Sequence, residues 1–229
     1  MKIDVITLFP EAFNSLDLSI VSRAKKQGLL EINLHNLYDF TKNKHKKVDD
    51  YPYGGGPGMV IRPEPLHLAI KSLVPGYIIY LTPQGNLLTQ NLAKDLAEKE
   101  HLIFICGHYE GIDERVIERF VDLELSVGDF VATGGEIPCL LVIDVVARLI
   151  KGVLGNPEST EIESFSNGYL EGPQYTRPSE FEGMKVPYIL LSGDHKKIKD
   201  WRKEKALEKT KKNRPDLLEK KEEKNDKHR

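Results

Sequence analysis

Short apolar runs and amphipathic stretches alternate along the first two thirds of the chain. The predicted strands are 3–9, 29–37, 77–81, 101–106 and 123–132. The predicted helices are 11–26, 63–73, 89–99, 113–121 and 137–150. Apolar runs of strand length between amphipathic helices are typical of a parallel sheet that is buried on both faces. The pattern therefore predicts an α/β fold with a mostly parallel sheet and helices on both faces.

The pattern changes after residue 155. Residues 155–180 are dominated by Gly, Pro, Asn, Ser and Glu and show no clear period, as expected for an interdomain linker. From about Ile198 onward the sequence is helical and basic, around Trp201 and Leu207. We therefore predict a domain at 1–158, a linker at 159–178 and a small helical domain at 179–229.

Composition narrows the class of protein. Of the 229 residues 40% are hydrophobic and 30% are charged, as in a soluble globular protein. No apolar run approaches the ~20 residues of a membrane span, and Asp4 interrupts the first apolar stretch, so we expect no signal peptide. The two cysteines, Cys106 and Cys139, predict neither a disulfide framework nor a metal site. We therefore expect a cytoplasmic protein without a membrane partner.

The net charge of −2 hides a division between the two ends of the chain. Residues 195–229 hold 15 Lys or Arg and 8 Asp or Glu, a balance of +7. The preceding 194 residues hold 33 − 15 = 18 and 35 − 8 = 27, a balance of −9. A basic tail on an acidic body indicates a polyanionic partner, although a solvated charged helix would show the same charge pattern.

Glycine-rich polar turns follow three of the predicted strands. We call them the first turn (81–85), the second turn (106–111) and the third turn (126–138). Ligands of open α/β sheets bind beyond the carboxyl ends of the strands, and glycine lets the backbone approach a ligand closely. Any one of these segments could be an ordinary strand-to-helix turn. Three at successive strand ends favour one pocket that binds a nucleoside through backbone groups.

Two common nucleotide fingerprints are absent from the sequence. No G-x-G-x-x-G follows the first strand, and the glycines at 54–58 are not followed by the Gly-Lys-Ser/Thr of a P-loop. The glycine segment at 54–58 instead follows a basic cluster, which contains Lys42, Lys44, His45, Lys46 and Lys47. A glycine loop beside such a cluster suits a nucleic-acid backbone, and a mobile surface loop is the alternative.

Four carboxylates accompany the second and third turns, namely Glu110, Asp113, Asp129 and Glu136. Carboxylates near a pocket favour a cationic ligand, such as a sulfonium compound. For Asp113 we favour a structural role at a helix N-terminus, where negative charge interacts favourably with the helix dipole. For Glu110 and Glu136 we favour a functional role.

The motifs that carry these features also occur together in one known family. They are GGGPGM at 54–59, CGHYEGIDERV at 106–116, SVGD at 126–129, GGEIP at 134–138, GVLGN at 152–156, YTRP at 175–178 and LLSG at 190–193. In this order they resemble the bacterial tRNA (guanine-N1)-methyltransferases, from about residue 1 to residue 217. Each motif alone is weak, but seven in the same order are specific.

The resemblance implies a fold that periodicity does not predict. The family has a SPOUT-class α/β fold with a deep trefoil knot, although knots are nearly absent from proteins. It works as a homodimer whose active sites are each built from both chains. It transfers a methyl group from S-adenosylmethionine to N1 of the guanine immediately 3′ of the anticodon. The C-terminal domain helps to hold the tRNA anticodon arm, and a magnesium requirement is implied, with Glu110 as the guessed ligand.

The resemblance also assigns residues to the cofactor and to the tRNA. The implied cofactor-binding residues are Tyr80, Leu81, Thr82, Pro83, Gly85, Gly107, Tyr109, Glu110, Val127, Gly128, Phe130, Ala132, Gly134, Gly135 and Pro138. The implied tRNA-binding residues are Lys44, His45, Lys46, Gly58 and Arg177. Trp201 is expected to anchor a small core, with stacking on RNA as the alternative.

The resemblance also implies two catalytic residues. Arg148 matches an arginine near the reacting guanine, where it would stabilise negative charge on O6. The general base of the family is an aspartate before Ser-Phe, and Glu163 stands at that position here. Glutamate is one methylene longer and has a similar pKa, so we expect it to serve, with Glu161 as the fallback. His108, where several relatives carry arginine, is assigned no catalytic role.

Other functions remain as alternatives. A knotted ribose 2′-O-methyltransferase would share the fold but would need no carboxylate facing a guanine N1. A catalytically silent RNA-binding module would explain the basic tail without the pocket. A nucleotide-dependent enzyme is disfavoured because both fingerprints are missing.

Overall fold

The computed structural model describes residues 1–41, 46–154 and 163–219. The chain divides into two units, Met1–Gly155 and Asn156–Arg229. Lys44, His45 and Glu161 lie outside the described residues. The predicted domain limits at 158 and 178 stay predictions.

A five-stranded sheet forms the centre of the first unit. The strands of this unit are β1 (Lys2–Thr7), β2 (Glu31–Asn36), β3 (Asp49–Asp50), β4 (Val60–Ile61), β5 (Tyr77–Leu87), β6 (His101–Cys106) and β7 (Leu123–Ser126). The sheet has the order β2-β1-β6-β5-β7, and every pair of neighbours in it is parallel. β3 and β4 form a separate antiparallel pair. The predicted parallel α/β sheet is confirmed, and the trefoil knot stays a prediction.

Helices cover both faces of this sheet. They are α1 (Ser19–Lys26), α2 (Pro63–Ser72), α3 (Gln90–Ala97), α4 (Glu114–Phe120) and α5 (Glu136–Ala147). On one face Phe104 packs in a buried cluster with side chains of α1, α3 and α5. On the other face Ile105 packs in a second cluster with side chains of α2 and α4. Alternate side chains of β6 thus pack into the clusters on opposite faces of the sheet, and the strand is therefore apolar along its whole length.

Three elements differ most from the predictions. The strand predicted at 77–81 extends to Leu87 as β5, and the first turn is an irregular segment inside it. The helix predicted at 11–26 is a 3₁₀ helix, Pro10–Asp17, followed by α1, because Leu18 is extended and Ser19 has φ 54°. The strand predicted at 123–132 ends at Ser126. The Ser126 hydroxyl accepts a hydrogen bond from the Gly128 amide at 3.3 Å, which turns the backbone out of the sheet. A side chain that competes for backbone donors is a local signal that apolar periodicity does not contain.

The described part of the second unit includes a short hairpin and the helices α6 (Tyr188–Leu191) and α7 (His195–Asn213). The strands of the hairpin are β8 (Glu180–Phe181) and β9 (Met184–Lys185). Asp194 caps α7, with its side chain accepting the Lys197 amide at 3.1 Å. The predicted basic helix is therefore present and begins three residues earlier than Ile198. Nowhere in the described chain is a helix both long and apolar enough to cross a membrane.

Candidate active site

The order of the strands brings the three glycine-bearing turns together. β6, β5 and β7 are neighbours in the sheet. The second and third turns follow β6 and β7, and the first turn lies within β5, where its pairing with β7 is interrupted. The turns line one cavity of about 370 Å³. The predicted cofactor residues on its wall are Tyr80, Leu81, Thr82, Pro83, Gly107, Tyr109, Glu110, Val127, Gly128, Phe130, Ala132, Gly134, Gly135 and Pro138. Their binding of a cofactor stays a prediction.

Gly85 is the one predicted cofactor residue outside the wall of this cavity. A Cβ atom at Gly85 would collide with the backbone of Glu124 in β7. The need for glycine at this position therefore comes from the close approach of two backbone segments. Sequence inspection alone does not separate this requirement from close approach to a ligand.

The third turn lies directly against the second turn. The Gly135 amide donates to the Gly107 carbonyl at 2.8 Å, and His108 and Gly134 form an antiparallel bridge. A Cβ atom at Gly135 would lie 2.7 Å from Cys106 Cα, closer than real Cβ atoms approach. The absence of a side chain at Gly135 thus allows the two turns to form one continuous wall.

A buried polar network stands behind these two turns. Glu136 is 6% exposed, and its Oε1 accepts a hydrogen bond from the Thr7 hydroxyl at 2.8 Å. His108 Nδ1 lies 3.8 Å from Glu136 Oε2, and in the described structure this buried nitrogen has no hydrogen-bond partner. Glu136 is the first residue of α5 and therefore links the end of β1 to the start of that helix, and it does not line the cavity. Sequence reasoning selected Glu136 but missed Thr7, which no motif marks.

The glycine segment at 54–58 is connected to the second turn through β4. The Glu110 amide donates to the Met59 carbonyl at 3.0 Å, and the Ile61 amide donates to the Gly111 carbonyl at 2.9 Å. Gly58 itself is exposed and contacts the Glu110 side chain closely enough to leave no space for a Cβ atom. The backbone of this segment is thereby fixed to one wall of the cavity.

The charged groups of the cavity wall are acidic. Among its lining residues in the described structure, the formally charged ones at neutral pH are Glu110 and Glu114. Burial raises the pKa of the Tyr80 phenol, and hydrogen bonds to Ile112 and Thr82 act in the opposite direction. The wall therefore presents negative charge and a neutral phenol, which together suit a cationic ligand.

Asp113 and Asp129 do not line this cavity. The Asp113 side chain caps α4 by accepting the Arg115 amide at 3.0 Å. Its hydrogen bonds from the Arg115 guanidinium hold the pKa of the Asp113 carboxyl below its usual range. The structural role favoured for Asp113 is thus observed. Asp129 is exposed on the third turn.

The remaining predicted residues lie elsewhere on the chain. Arg148 follows α5 directly and is half-buried, and the cavity wall does not include it. In the second unit, Glu163 is half-buried and its carbonyl accepts the Ser166 amide at 3.2 Å. Arg177 lies on a separate cavity of about 320 Å³ in that unit. Lys46 is exposed, with its ammonium group 3.5 Å from Asp39.

Several lining residues were not predicted. They are Gln84, His108, Gly111, Ile112, Glu114, Ile117, Leu125, Ser126, Val131 and Thr133. Most belong to the three turns that were selected as segments, so their position in those turns was the available signal. Glu114 and Ile117 come from α4, and their spacing of three places them on one face of that helix.

The chain is similar in sequence to proteins of one known family. A sequence profile of the family described as tRNA (Guanine-1)-methyltransferase TrmD matches residues 1–220. A tRNA (guanine-N(1)-)-methyltransferase of Moorella thermoacetica is 53% identical over 225 residues, covering 95% of this chain and 90% of that protein. The protein of the same description from Clostridioides difficile is 52% identical, covering 98% and 100%. A third, from Clostridium botulinum, is 56% identical, covering 96% and 92%.

Proposed function

Because this chain belongs to the family of tRNA (guanine-1)-methyltransferases, we propose that it takes its methyl group from S-adenosylmethionine. We propose further that the target is N1 of the guanine immediately 3′ of the anticodon. The family is of the SPOUT class, and the proposal includes its trefoil knot and a homodimer whose active sites each draw on both chains. Localisation in the cytoplasm stays a prediction.

One observation supports the cofactor proposal most directly. The three turns share a single cavity, and its charged lining residues are Glu110 and Glu114. S-adenosylmethionine carries a positively charged sulfonium, from which it supplies an electrophilic methyl group. Backbone amides and carbonyls of the turns would bind its nucleoside part, while the carboxylates would favour the positive charge.

Glu163 has the role of general base in this proposal. The N1 atom of guanine carries a proton whose pKa lies well above neutrality, so the neutral base is a poor nucleophile. The Glu163 carboxylate accepts this proton as N1 forms its bond to the methyl carbon. The bond from that carbon to sulfur breaks in the same step, and its electron pair stays on sulfur as a neutral thioether.

Arg148 has the role of an electrostatic stabiliser. Loss of the N1 proton moves negative charge onto O6 of the guanine. A guanidinium is always protonated and presents its donors in a fixed plane, so Arg148 would hold this oxygen by a charge-assisted hydrogen bond. The interaction is stronger in the transition state than in the ground state, and it therefore raises the rate of the chemical step.

The proposal also includes Mg²⁺, which the resemblance implies. This ion is commonly held by one or two carboxylates together with water and substrate oxygens. Glu110 is compatible with that kind of site because its exposed carboxylate belongs to the cavity wall. No catalytic step is assigned to the ion here.

Transfer of a labelled methyl group to total tRNA tests the proposed function. The protein is incubated with S-adenosylmethionine that is labelled in its methyl group, and the tRNA is then digested to nucleosides. We expect the label in 1-methylguanosine. Label in a 2′-O-methylated ribose would instead assign the protein to ribose methylation. Absence of transfer together with RNA binding would leave only a binding module.

A further inference from the structure

The first unit contains a second cavity, of about 650 Å³. It lies on the opposite side of α4 from the candidate active site. Arg115 and Arg119 of α4 line the second cavity, whereas Glu114 and Ile117 line the first. At 3.6 residues per turn these pairs point to opposite faces of the helix. The volume is in the range of about 300–1,000 Å³ that is typical of small-molecule sites.

The wall of the second cavity combines an apolar floor with a cationic rim. Its apolar and aromatic residues include Phe40, Leu68, Val116 and Phe120, and the His67 ring on the same wall lies 5.4 Å from the Phe120 ring, centre to centre. The cationic residues are Lys47, Arg62, Arg115 and Arg119, and the one carboxylate among the lining residues described is Glu64. This wall is the reverse of the active-site wall, whose charged residues are acidic. It suits a ligand that joins a flat apolar ring to an anionic group.

The cations on the rim differ in their availability. Arg115 is held by two hydrogen bonds to Asp113, of 2.8 and 2.7 Å, and Arg62 lies 3.4 Å from Glu64. No carboxylate in the described chain lies within 4 Å of Arg119. Its guanidinium carbon is instead 5.5 Å from the centre of the Phe120 ring. Arg119 therefore offers its charge to a ligand beside an aromatic side chain.

We propose that the second cavity binds one nucleotide unit of the RNA substrate, an inference that rests on the proposed function. Arg119 would bind the phosphate, and the base would stack on Phe120. Aromatic and guanidinium groups side by side are the usual means of binding single-stranded nucleic acid without reading its sequence. The occupant is thus a nucleoside monophosphate unit, and the RNA strand is the source to which the proposal commits.

The connection to the active site favours an RNA strand over a free nucleotide. One helix, α4, contributes side chains to both cavities, and a helix with its side chains is about 10–12 Å across. In addition, Ile61 is hydrogen-bonded to Gly111 of the second turn, and the next residue, Arg62, lines the second cavity. An RNA strand that places one base in the active site can therefore place a nearby nucleotide in the second cavity.

Charge-matched variants of the full-length protein test this proposal. Arg119→Gln removes the cation from the second cavity, and Arg23→Gln removes one from α1 on the other face of the sheet. Binding of unmodified tRNA is measured by fluorescence anisotropy over a series of salt concentrations. We expect Arg119→Gln to weaken binding about tenfold and to make the salt slope less negative by about one, the value for one lost phosphate contact. Arg23→Gln should match the parent.

A second substitution tests the stacking. Phe120→Leu keeps an apolar side chain in the core but removes the aromatic face, and we expect tRNA affinity to fall about tenfold, within the range measured for one lost stacked base. The affinity for S-adenosylmethionine, measured by calorimetry, should stay at the parent value in all three variants. A preserved cofactor affinity shows that a weakened tRNA interaction does not come from unfolding.

Three outcomes would overturn the proposal. Equal tRNA affinities and salt slopes for Arg119→Gln and Arg23→Gln would show that the cavity does not bind RNA. Saturable binding of adenosine monophosphate that depends on Arg119, with tRNA affinity unchanged, would assign the cavity to a free nucleotide. If Phe120→Leu kept the full affinity for tRNA, no base would stack on Phe120. Methyl transfer by the unaltered protein is measured separately, so its failure would count against the proposed function alone.

Discussion

At the scale of single residues, the proposed chemistry depends on one carboxylate. We expect Glu163→Gln to abolish methyl transfer, because an amide cannot accept the N1 proton at neutral pH. Cofactor affinity should change little, since Glu163 belongs to the second unit and the three turns to the first. Glu182→Gln, which alters an exposed carboxylate of the second unit, is the matched control. Lost cofactor binding with activity retained would contradict the assignment.

The arginine at position 148 is tested by the rate of the chemical step. We expect Arg148→Ala to slow single-turnover methyl transfer by a factor on the order of 10² or more, as loss of a transition-state donor does. Arg148→Lys should recover only part of the rate, because lysine keeps the charge but not the planar donors. Single-turnover rates equal to that of the parent in both variants would rule out the role.

A third residue, Asp4, contributes to stability instead of function. Its buried carboxylate accepts hydrogen bonds from His35 Nε2 at 2.7 Å and His101 Nε2 at 2.6 Å, and lies 3.0 Å from the Lys2 ammonium. Burial alone would raise the pKa of Asp4, but these three partners outweigh it and lower the pKa.

The lowered pKa fixes the sign of the pH dependence. The Asp4 network stabilises the fold above the unfolded-state pKa of about 3.9, and this contribution is lost as the pH falls through the lower folded-state pKa. We expect Asp4→Asn to reduce the free energy of unfolding at neutral pH by about 3 kcal/mol, as when one side of a buried charged network is removed. Urea titrations between pH 7 and pH 3 should also show a weaker acid dependence in the variant. If the free energy of unfolding fell with pH equally in the variant and the parent, this account would be contradicted.

At the scale of secondary-structure elements, the contact between the second and third turns determines the shape of the active-site wall. Gly135 has φ −77° and ψ −9°, which any residue can adopt, so the effect of Gly135→Ala is steric. We expect the added methyl group to push the third turn away from Cys106 and to weaken cofactor affinity tenfold or more. A loss of about 1–3 kcal/mol of stability should accompany it, as for other overpacked sites. Calorimetry and thermal denaturation check the two effects, and unchanged cofactor affinity would show that this contact does not shape the site.

The same turns show how far the sequence predicts the site. Apolar periodicity was sufficient for strands such as β6, because a strand that is buried on both faces is apolar along its whole length. Glycines and carboxylates at strand ends were sufficient to select the three turns. They did not predict that Gly85 contacts Glu124 or that Thr7 reaches Glu136, because both contacts join segments that are distant in sequence. Such contacts depend on strand order, which composition and spacing do not encode.

At the scale of the whole molecule, the uneven distribution of charge predicts how tRNA binding responds to salt. Lys199 and Lys203 are exposed on α7, in the segment whose charge balance is +7. If both neutralise phosphates, their replacement by glutamine should make the slope of log K against log salt less negative by about two. The same change at Lys26 and Lys71, exposed residues of the first unit, is the control. Equal slopes for the two double variants would show that α7 is only a solvated charged helix.

The pattern of the sequence changes near residue 155, where the chain also divides into its two units, and the predicted domain limits stay predictions. The knot was not visible in the sequence, because a knot is a property of the path of the chain and leaves no period in its residues. Only the resemblance to a family implied it, and it stays a prediction. Resemblance and periodicity therefore supplied different parts of the expected architecture.

The pairing of β5 with β7 limits which changes in the sequence of this enzyme its fold can accept. Leu81 and Asn86 both stand opposite Leu125, so residues 82–85 leave the ladder and return to it at the same point. An inserted or deleted residue in this excursion would displace Gly85 from its close approach to the backbone of Glu124, where a side chain has no space. Amino-acid replacement within a fixed loop length is thus the route by which the cavity can diverge. Random insertion libraries of the gene should therefore contain few functional members at these four positions.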